Sequence, residues 1–429
     1  MSLPSGWVNT VLGEIADFIM GHAPPGRACN HIGEGTPFVK AGEFGPQRPI
    51  IREWTTQPMK FAAAEDVLIC VVGATAGKLN LGADCAIGRS VAAIRPSKAT
   101  RTEFLFARLQ SEISTLRKAS TGTAQGVISK DMLASVPIDL PPIAEQCRIV
   151  GKLDALTARI ARARTELDRV PGLTQKIRER TVEELISSRA KSWKKVSLET
   201  LLSAGPTNGW SPKSGSDASG TLTLKLTATT SGYLRTDAAA VKRIYEIVPG
   251  NSNLWLEPGD LLIQRANALE HVGAAAIYTG PGKTFIYPDL MMRVRIPDQH
   301  ITKLVWYQLR SPAVRQYFRD HATGTAGNMP KISGSTVRNV PIWLPLDDQV
   351  KDVVTHMDRN FARADRLEAE ADRARKLLDR LESAILAKAF RGELVPRDPD
   401  DEPAEKLLMR IREERVVALK PKRGRRATF

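Results

Sequence analysis

The chain of 429 residues carries 62 Lys and Arg against 47 Asp and Glu, a formal net charge of +15. That length predicts roughly two to four domains, the apolar fraction of 42% excludes a wholly disordered chain, and the longest apolar run, Val67 to Ala74, is too short to span a bilayer. The basic excess predicts a polyanionic partner, because Lys and Arg along a phosphate backbone release condensed counterions.

The opening, Met1 to Trp7, has no charged n-region followed by an apolar stretch. It predicts a cytoplasmic protein without a signal peptide. Cys29, Cys70, Cys85 and Cys147 include no Cys-x-x-Cys pair, which fits a reduced compartment better than a disulfide or zinc framework. The first segment is rich in Gly, Pro and short β-branched runs, the punctuation of an α+β domain with brief strands.

After Pro141-Pro142 the pattern becomes helical. Ile149, Leu153, Leu156, Ile160, Ala163, Leu167 and Val170 recur at spacings of four and three, an a/d heptad seam. Pro171-Gly172 predicts a kink or break, after which Leu173 and Ile177 resume the seam.

From Trp193 the plan repeats. Trp7 and Leu12 are answered by Trp193 and Leu198, and Glu65-Asp66-Val67-Leu68-Ile69 by Gly259-Asp260-Leu261-Leu262-Ile263. The run Thr102 to Ser111 is answered by Thr302 to Ser311, and the Thr-Gly-Thr triplet at 121–123 by the one at 323–325. Val136-Pro137-Ile138 is answered by Val340-Pro341-Ile342, and Gln146 by Gln349. One coincidence is unremarkable, but several in the same order predict a tandem duplication of a unit of roughly 200 residues.

The second long helix carries the stripe Val350, Val354, Met357, Phe361, Ala364, Leu367, Ala371, Ala374, Leu378, Leu381 and Ile385, with a stammer at Leu367. About 40 helical residues reach roughly 60 Å, and a lone heptad helix cannot bury its seam. The economical partner is the other copy in the chain, paired antiparallel, with the globular domains at opposite ends and pseudo-twofold symmetry. A coiled coil between chains is the alternative. The expected boundaries are 1–142 for the first globular domain, 143–190 for the first helix, 191–346 for the second domain and 347–391 for the second helix. Residues 392–429 read as a linker, a short amphipathic helix over Ala404 to Ala418, and a basic tail with Lys420, Lys422, Arg423, Arg425 and Arg426. The short helix docks either on a partner or on the chain's own surface.

Catalytic signatures are missing. There is no Asp/Glu-x-Lys triplet, no His-Glu-x-x-His and no Cys/His cluster. Gly73-Ala74-Thr75-Ala76-Gly77-Lys78 has the outline of a phosphate-binding loop but is one residue short, and Leu79 replaces the Ser or Thr that would hold magnesium. It reads as a strand-turn-strand with a basic tip. Asp139-Leu140-Pro141-Pro142 is separated from the amino-methyltransferase motif by an inserted leucine.

The chain resembles the specificity subunits of type I restriction-modification systems over essentially its whole length. The resemblance rests on the Trp-x-x-x-x-Leu opening of each unit, Gly259-Asp260-Leu261-Leu262-Ile263, and the Thr-Gly-Thr segment leading to Ile128-Ser129-Lys130. Leu140-Pro141-Pro142-Ile143-Ala144-Glu145-Gln146 and Ala387-Lys388-Ala389-Phe390-Arg391-Gly392-Glu393-Leu394 are its most telling parts. Pro345-Leu346-Asp347-Asp348-Gln349 departs from the pattern in the second unit.

The resemblance implies a non-catalytic subunit whose two target recognition domains each read one half of a split, asymmetric site in double-stranded DNA. It implies that the helices set the unread spacer and dock two modification (methyltransferase) subunits, which up to two restriction (translocase-nuclease) subunits join. S-adenosylmethionine, ATP and magnesium would belong to those partners. The alternative is a coiled-coil scaffold that reads no DNA sequence. Arg or Lys suits guanine and Asn or Gln suits adenine, while phosphate contacts position the protein. On turn-like placement the candidates are Lys40, Thr75, Lys78, Arg89, Gln125 and Lys130 in the first domain, and Lys225, Gln264, Arg265, Asn267, Asn328 and Lys331 in the second. The alternative for each is a solvated or locally hydrogen-bonded side chain.

Overall fold

The computed structural model describes residues 3–121, 127–189, 192–215, 218–324 and 329–419. The chain divides into two compact units, Met1–Glu166 with Ala374–Phe429, and Leu167–Arg373. Each long helix contributes one half to each unit. The fold is α+β, and both units repeat one plan.

In the first unit the central antiparallel sheet orders its strands Ala16–Met20, Val91–Pro96, Val67–Cys70 and Leu79–Leu81. In the second the order is Ala204–Asn208, Met291–Arg295, Leu261–Gln264 and Ala275–Ile277. A two-stranded ribbon joins the ends of each globular segment: Val8–Val11 pairs with Pro137–Leu140, and Lys194–Ser197 with Pro341–Leu344. The duplication thus extends to strand order and, apart from a bulge between Ala204 and Thr207 in the second unit, to register.

The strand Val67–Cys70 is buried on both faces, which is why it reads as a continuous apolar run rather than an alternation. Val67 and Ile69 pack with Phe104, Leu105 and Leu109 of the helix Thr102–Thr121, while Leu68 and Cys70 pack with Val39 and Ile87 of a second sheet and with Phe44. Leu261 and Ile263 pack with Trp306 and Leu309, and Leu262 with Leu224, Tyr278 and Tyr287. Full burial of each such side chain contributes about 1.5–3 kcal/mol. At the start of each strand a buried aspartate is held bidentately. Arg95 donates to Asp66 at 2.8 and 2.9 Å, and Arg295 to Asp260 at 2.6 and 3.2 Å. Each carboxylate also accepts a backbone N–H three residues upstream.

The first long helix runs Ile143–Arg189 and the second Val350–Phe390. They pair antiparallel within each unit. Arg164 meets Asp379 and Glu382 in the first, and Arg178 meets Asp365 and Glu368 in the second.

Three sequence expectations change here. The first helix continues through Pro171 without a break. Leu173 and Ile177 do not resume the seam: they are 56% and 41% exposed, whereas Thr174 and Arg178 are buried. Pairing with carboxylates of the second helix turns this polar stripe inward. On that helix Ala364 and Ala371 are buried but Leu367 and Leu381 face solvent. The seam passes through Glu368, the partner of Arg178, so the expected stammer at Leu367 is not used.

The tail helix Ala404–Leu419 packs on the first unit, where Ala404, Leu408 and Ile411 join the core around Trp7 and Leu12. Lys420, Lys422, Arg423, Arg425 and Arg426 lie outside the described residues. Among the described residues no helix is long and apolar enough to cross a membrane.

Candidate nucleic-acid interface

In each unit one end of the central sheet carries loops that hold most of the described candidates. In the first, Gly77 N–H donates to Cys70 O at 2.7 Å and Cys70 N–H to Lys78 O at 2.8 Å, closing a hairpin. Its tip is the short 3-10 turn Gly73–Thr75. This is a strand-turn-strand with no following helix, as the shortened glycine motif predicted. Val71 N–H donates to Ser90 O at 2.9 Å, and Ile128 N–H to Val71 O at 2.9 Å. The hairpin, the turn at Arg89-Ser90 and the segment entering Lys130 are therefore tied together.

The second unit repeats these bonds. Gly273 N–H donates to Gln264 O, Gln264 N–H to Ala274 O, and Arg265 N–H to Leu290 O, each at 2.8 Å. Ile332 N–H donates to Arg265 O at 2.9 Å. Gly77 and Gly273 occupy the same place with φ of 84° and 75°, the left-handed region that glycine enters without steric cost.

Thr75 is exposed on its tip. Lys78 is exposed along its stem, with Nζ donating to Phe44 O at 2.7 Å. Lys40 pairs with Glu53 and lies 5.7 Å from the centre of the Phe38 ring. The hydrogen bond from Lys40 to Glu53 raises the lysine's affinity for its proton. The neighbouring Ala41 N–H donates to Ser90 Oγ at 3.2 Å, which brings Lys40 beside the Arg89 turn. Arg89 is exposed and has no side-chain partner among the described residues. Lys130 is exposed at the first position of the helix Lys130–Ala134, capped by Ser129. Gln125 lies outside the described residues.

In the second unit Arg265, Asn267 and Lys331 come together, because Ala266 bridges Lys331. Lys331 is exposed, and Arg265 is half-buried with no side-chain partner among the described residues. Lys225 stands apart at the head of another turn, donating to Ala239 O at 3.2 Å. Asn328 lies outside the described residues.

Gln264 is placed differently from the reader the sequence suggested. It is buried, and its amide nitrogen faces Leu226 O, Thr229 Oγ1 and Thr230 Oγ1. Its carbonyl accepts from Asn267 Nδ2 at 2.6 Å. A fully committed amide orients Asn267 and offers nothing to a base edge.

Two residues escaped the sequence reading. Arg315 donates to Glu270 O at 2.7 Å and so holds the loop that carries Arg265 and Asn267, and burial pushes its pKa down to about 10. Trp210, 40% exposed, follows the strand Ala204–Asn208 and donates its backbone N–H to Tyr287 O at 2.9 Å. No motif flagged either one. The repeated bonding pattern, with His22 N–H on Ile87 O in the first unit, identifies Trp210 as a loop position. Among the described residues no three His, Cys, Asp or Glu side chains group as metal ligands.

Residues 4–171 match the type I restriction modification DNA specificity domain. The chain is 25% identical to the EcoKI specificity subunit of Escherichia coli (strain K12), with 97% of each chain covered. It is 23% identical to the StySPI specificity subunit of Salmonella potsdam, again covering 97% of each. Among solved structures it is similar to the HsdS subunit from Thermoanaerobacter tengcongensis, with a TM-score of 0.58 and 20% identity over 92% of this chain and 99% of that one. A chain from a study of complex assembly and conformational transition of the type I R-M system superposes with a TM-score of 0.68 and 21% identity, covering 92% of this chain and all of that one.

Proposed function

We propose that this chain, which belongs to the DNA specificity subunits of type I restriction-modification systems, reads a bipartite, asymmetric site in double-stranded DNA, one half per unit. The observation that carries this reading is one loop frame built twice with different side chains. The bonds from Val71 to Ser90 and from Ile128 to Val71 recur as Arg265 to Leu290 and Ile332 to Arg265. A frame held constant while its side chains differ is what two readers of unlike half-sites require.

In this reading Thr75, Lys78, Arg89 and Lys130 face one half-site, and Gln125 is assigned to it from the sequence alone. Arg265, Asn267 and Lys331 face the other, and Asn328 is assigned to it from the sequence alone. Lys40 and Lys225, tied down by Glu53 and Ala239 O, contribute charge to phosphates. The long helices dock two modification subunits, to which up to two restriction subunits attach. Exposed apolar side chains support a docking role: Leu377 and Leu381 on the helix segment of the first unit, and Leu173, Ile177 and Leu367 in the second. The chain itself is non-catalytic, and S-adenosylmethionine, ATP and magnesium belong to the partners.

The test is co-expression with a modification subunit, followed by genome-wide mapping of methylated adenines with and without this chain. A split motif present only with the chain is the expected result. Unchanged methylation, with no retention of DNA by the purified chain, would leave the coiled-coil scaffold as the reading.

A further inference from the structure

Because both units share one loop frame, their turns can be compared position by position. Val91 N–H donates to Gly88 O at 2.9 Å, and Met291 N–H to Pro288 O at 3.0 Å. The next residues on, Ser90 and Leu290, accept from Val71 and Arg265. Arg89 and Asp289 therefore occupy the same place. Both are exposed, and neither side chain has a partner among the described residues. Asp289 is fixed only through its backbone, whose N–H donates to Ser211 Oγ at 3.2 Å.

The two positions carry opposite charges. Asp289 sits beside a surface that offers Arg265 and Lys331. The Arg265 backbone is bonded to Leu290, the residue next to Asp289, yet no ion pair joins the two side chains. A free carboxylate on a DNA-facing edge is repelled by phosphates, so it is tolerated only where the ligand presents an N–H donor without negative charge. In the major groove those donors are the exocyclic amino groups, N4 of cytosine and N6 of adenine.

We propose that Asp289 is a specificity-determining residue of the second unit, accepting a hydrogen bond from the exocyclic amino group of a cytosine or adenine in its half-site. Arg89 offers the complementary chemistry at the same place in the first unit, donating to guanine O6 and N7. The inference rests on the reading of the chain as a DNA-reading subunit.

The experiment uses the full chain with a modification subunit and maps methylated sites for the wild type, Asp289→Ala and Asp289→Arg. The turn accommodates arginine, since Arg89 occupies its counterpart. The expected result is a relaxation of about tenfold at one base pair of one half-site in the alanine variant, with the other half-site intact. In the arginine variant the same pair shifts toward guanine. An unchanged motif in both variants overturns the proposal, as does a uniform decline at every site with the motif retained. Abolition of methylation by both variants also overturns it, assigning Asp289 a structural role. A wild-type chain that directs no split methylation would instead overturn the underlying reading.

Discussion

Arg178 donates to Glu368 at 2.8 Å between the paired long helices of the second unit, and the same guanidinium reaches Asp365 at 2.6 Å. Thr174 donates to the same Glu368 oxygen. A polar cluster thus sits where the heptad pattern predicted apolar contact. An a/d seam of aliphatic residues alone tolerates sliding by a heptad, whereas a buried guanidinium fixes one register by requiring its carboxylates.

Acid sensitivity follows from this cluster. The hydrogen bond from Arg178, reinforced by Thr174, holds the Glu368 carboxyl below the usual carboxylate range. A carboxylate with a depressed folded pKa adds stability that is fully present above its unfolded value of about 4.3. That stability is lost as pH falls through the lower, folded value. Glu368 is about a third exposed, so solvent screening limits the effect to about 1 kcal/mol at pH 7. Urea unfolding of the wild type and Glu368→Gln should differ by that amount from pH 7 to 5 and converge toward pH 3. Parallel curves down to pH 3 would show that the pairing does not stabilise the fold.

The loop frame of the second unit depends on Gly273. Its φ of 75° disfavours any side chain, and a methyl group there would collide with the Phe318 ring. The left-handed penalty and the overpacking together cost at least about 2 kcal/mol. Gly273→Ala should lower the thermal midpoint and weaken recognition of the half-site read through Arg265 and Asn267. Gly77→Ala, at the matching place in the first unit, meets Arg117 and Ile113 side-chain atoms at 3.3 Å, which can shift. It should be the milder change in a thermal melt.

Repeats and apolar period make the duplication, the α+β units and the two long helices legible in the sequence. Those signals arise from burial that recurs along the chain. What stayed hidden depends on contacts between distant residues. Thr174 and Arg178 face inward because of Asp365 and Glu368, nearly two hundred residues away, and heptad counting scores both helices separately. Gln264 has the residue type of a base reader but the burial of a scaffold residue, and only its bonds to Thr229 and Thr230 tell the two apart. Asp289 gives no signal in the sequence, because a lone carboxylate in a basic chain reads as a solvated surface charge.

The tail helix stabilises the first unit. Leu408 is fully buried, Ala404 N–H donates to Gly6 O at 3.0 Å, and Arg415 donates to Gly13 O at 2.8 Å. Asp401, just ahead of the helix, accepts from Arg148 at 2.5 and 3.2 Å. The short amphipathic segment therefore packs on its own chain. Leu408→Ala should destabilise the first unit by about 2–5 kcal/mol, read as earlier hydrogen exchange at Trp7 and Leu12. Protection that is unchanged at those amides would mean that the helix rests on the core without supporting it.

Arg265 tests whether the second loop reads bases or only grips the backbone. Its main chain is held on both sides, by Leu290 O and by Ile332 N–H, so removing the side chain leaves the frame in place. A guanidinium that donates to guanine is worth about 1–3 kcal/mol of discrimination against another base. Arg265→Ala should therefore relax one base pair of one half-site by roughly 5- to 150-fold and leave the other half-site unaltered in methylation maps. Lys331→Ala removes a charge that any phosphate could satisfy. It should weaken binding at all sequences alike and reduce the salt dependence of affinity by about one counterion. If Arg265→Ala behaves as Lys331→Ala is expected to, Arg265 is a phosphate contact, and the selectivity for this half-site must come from Asn267 and Asp289.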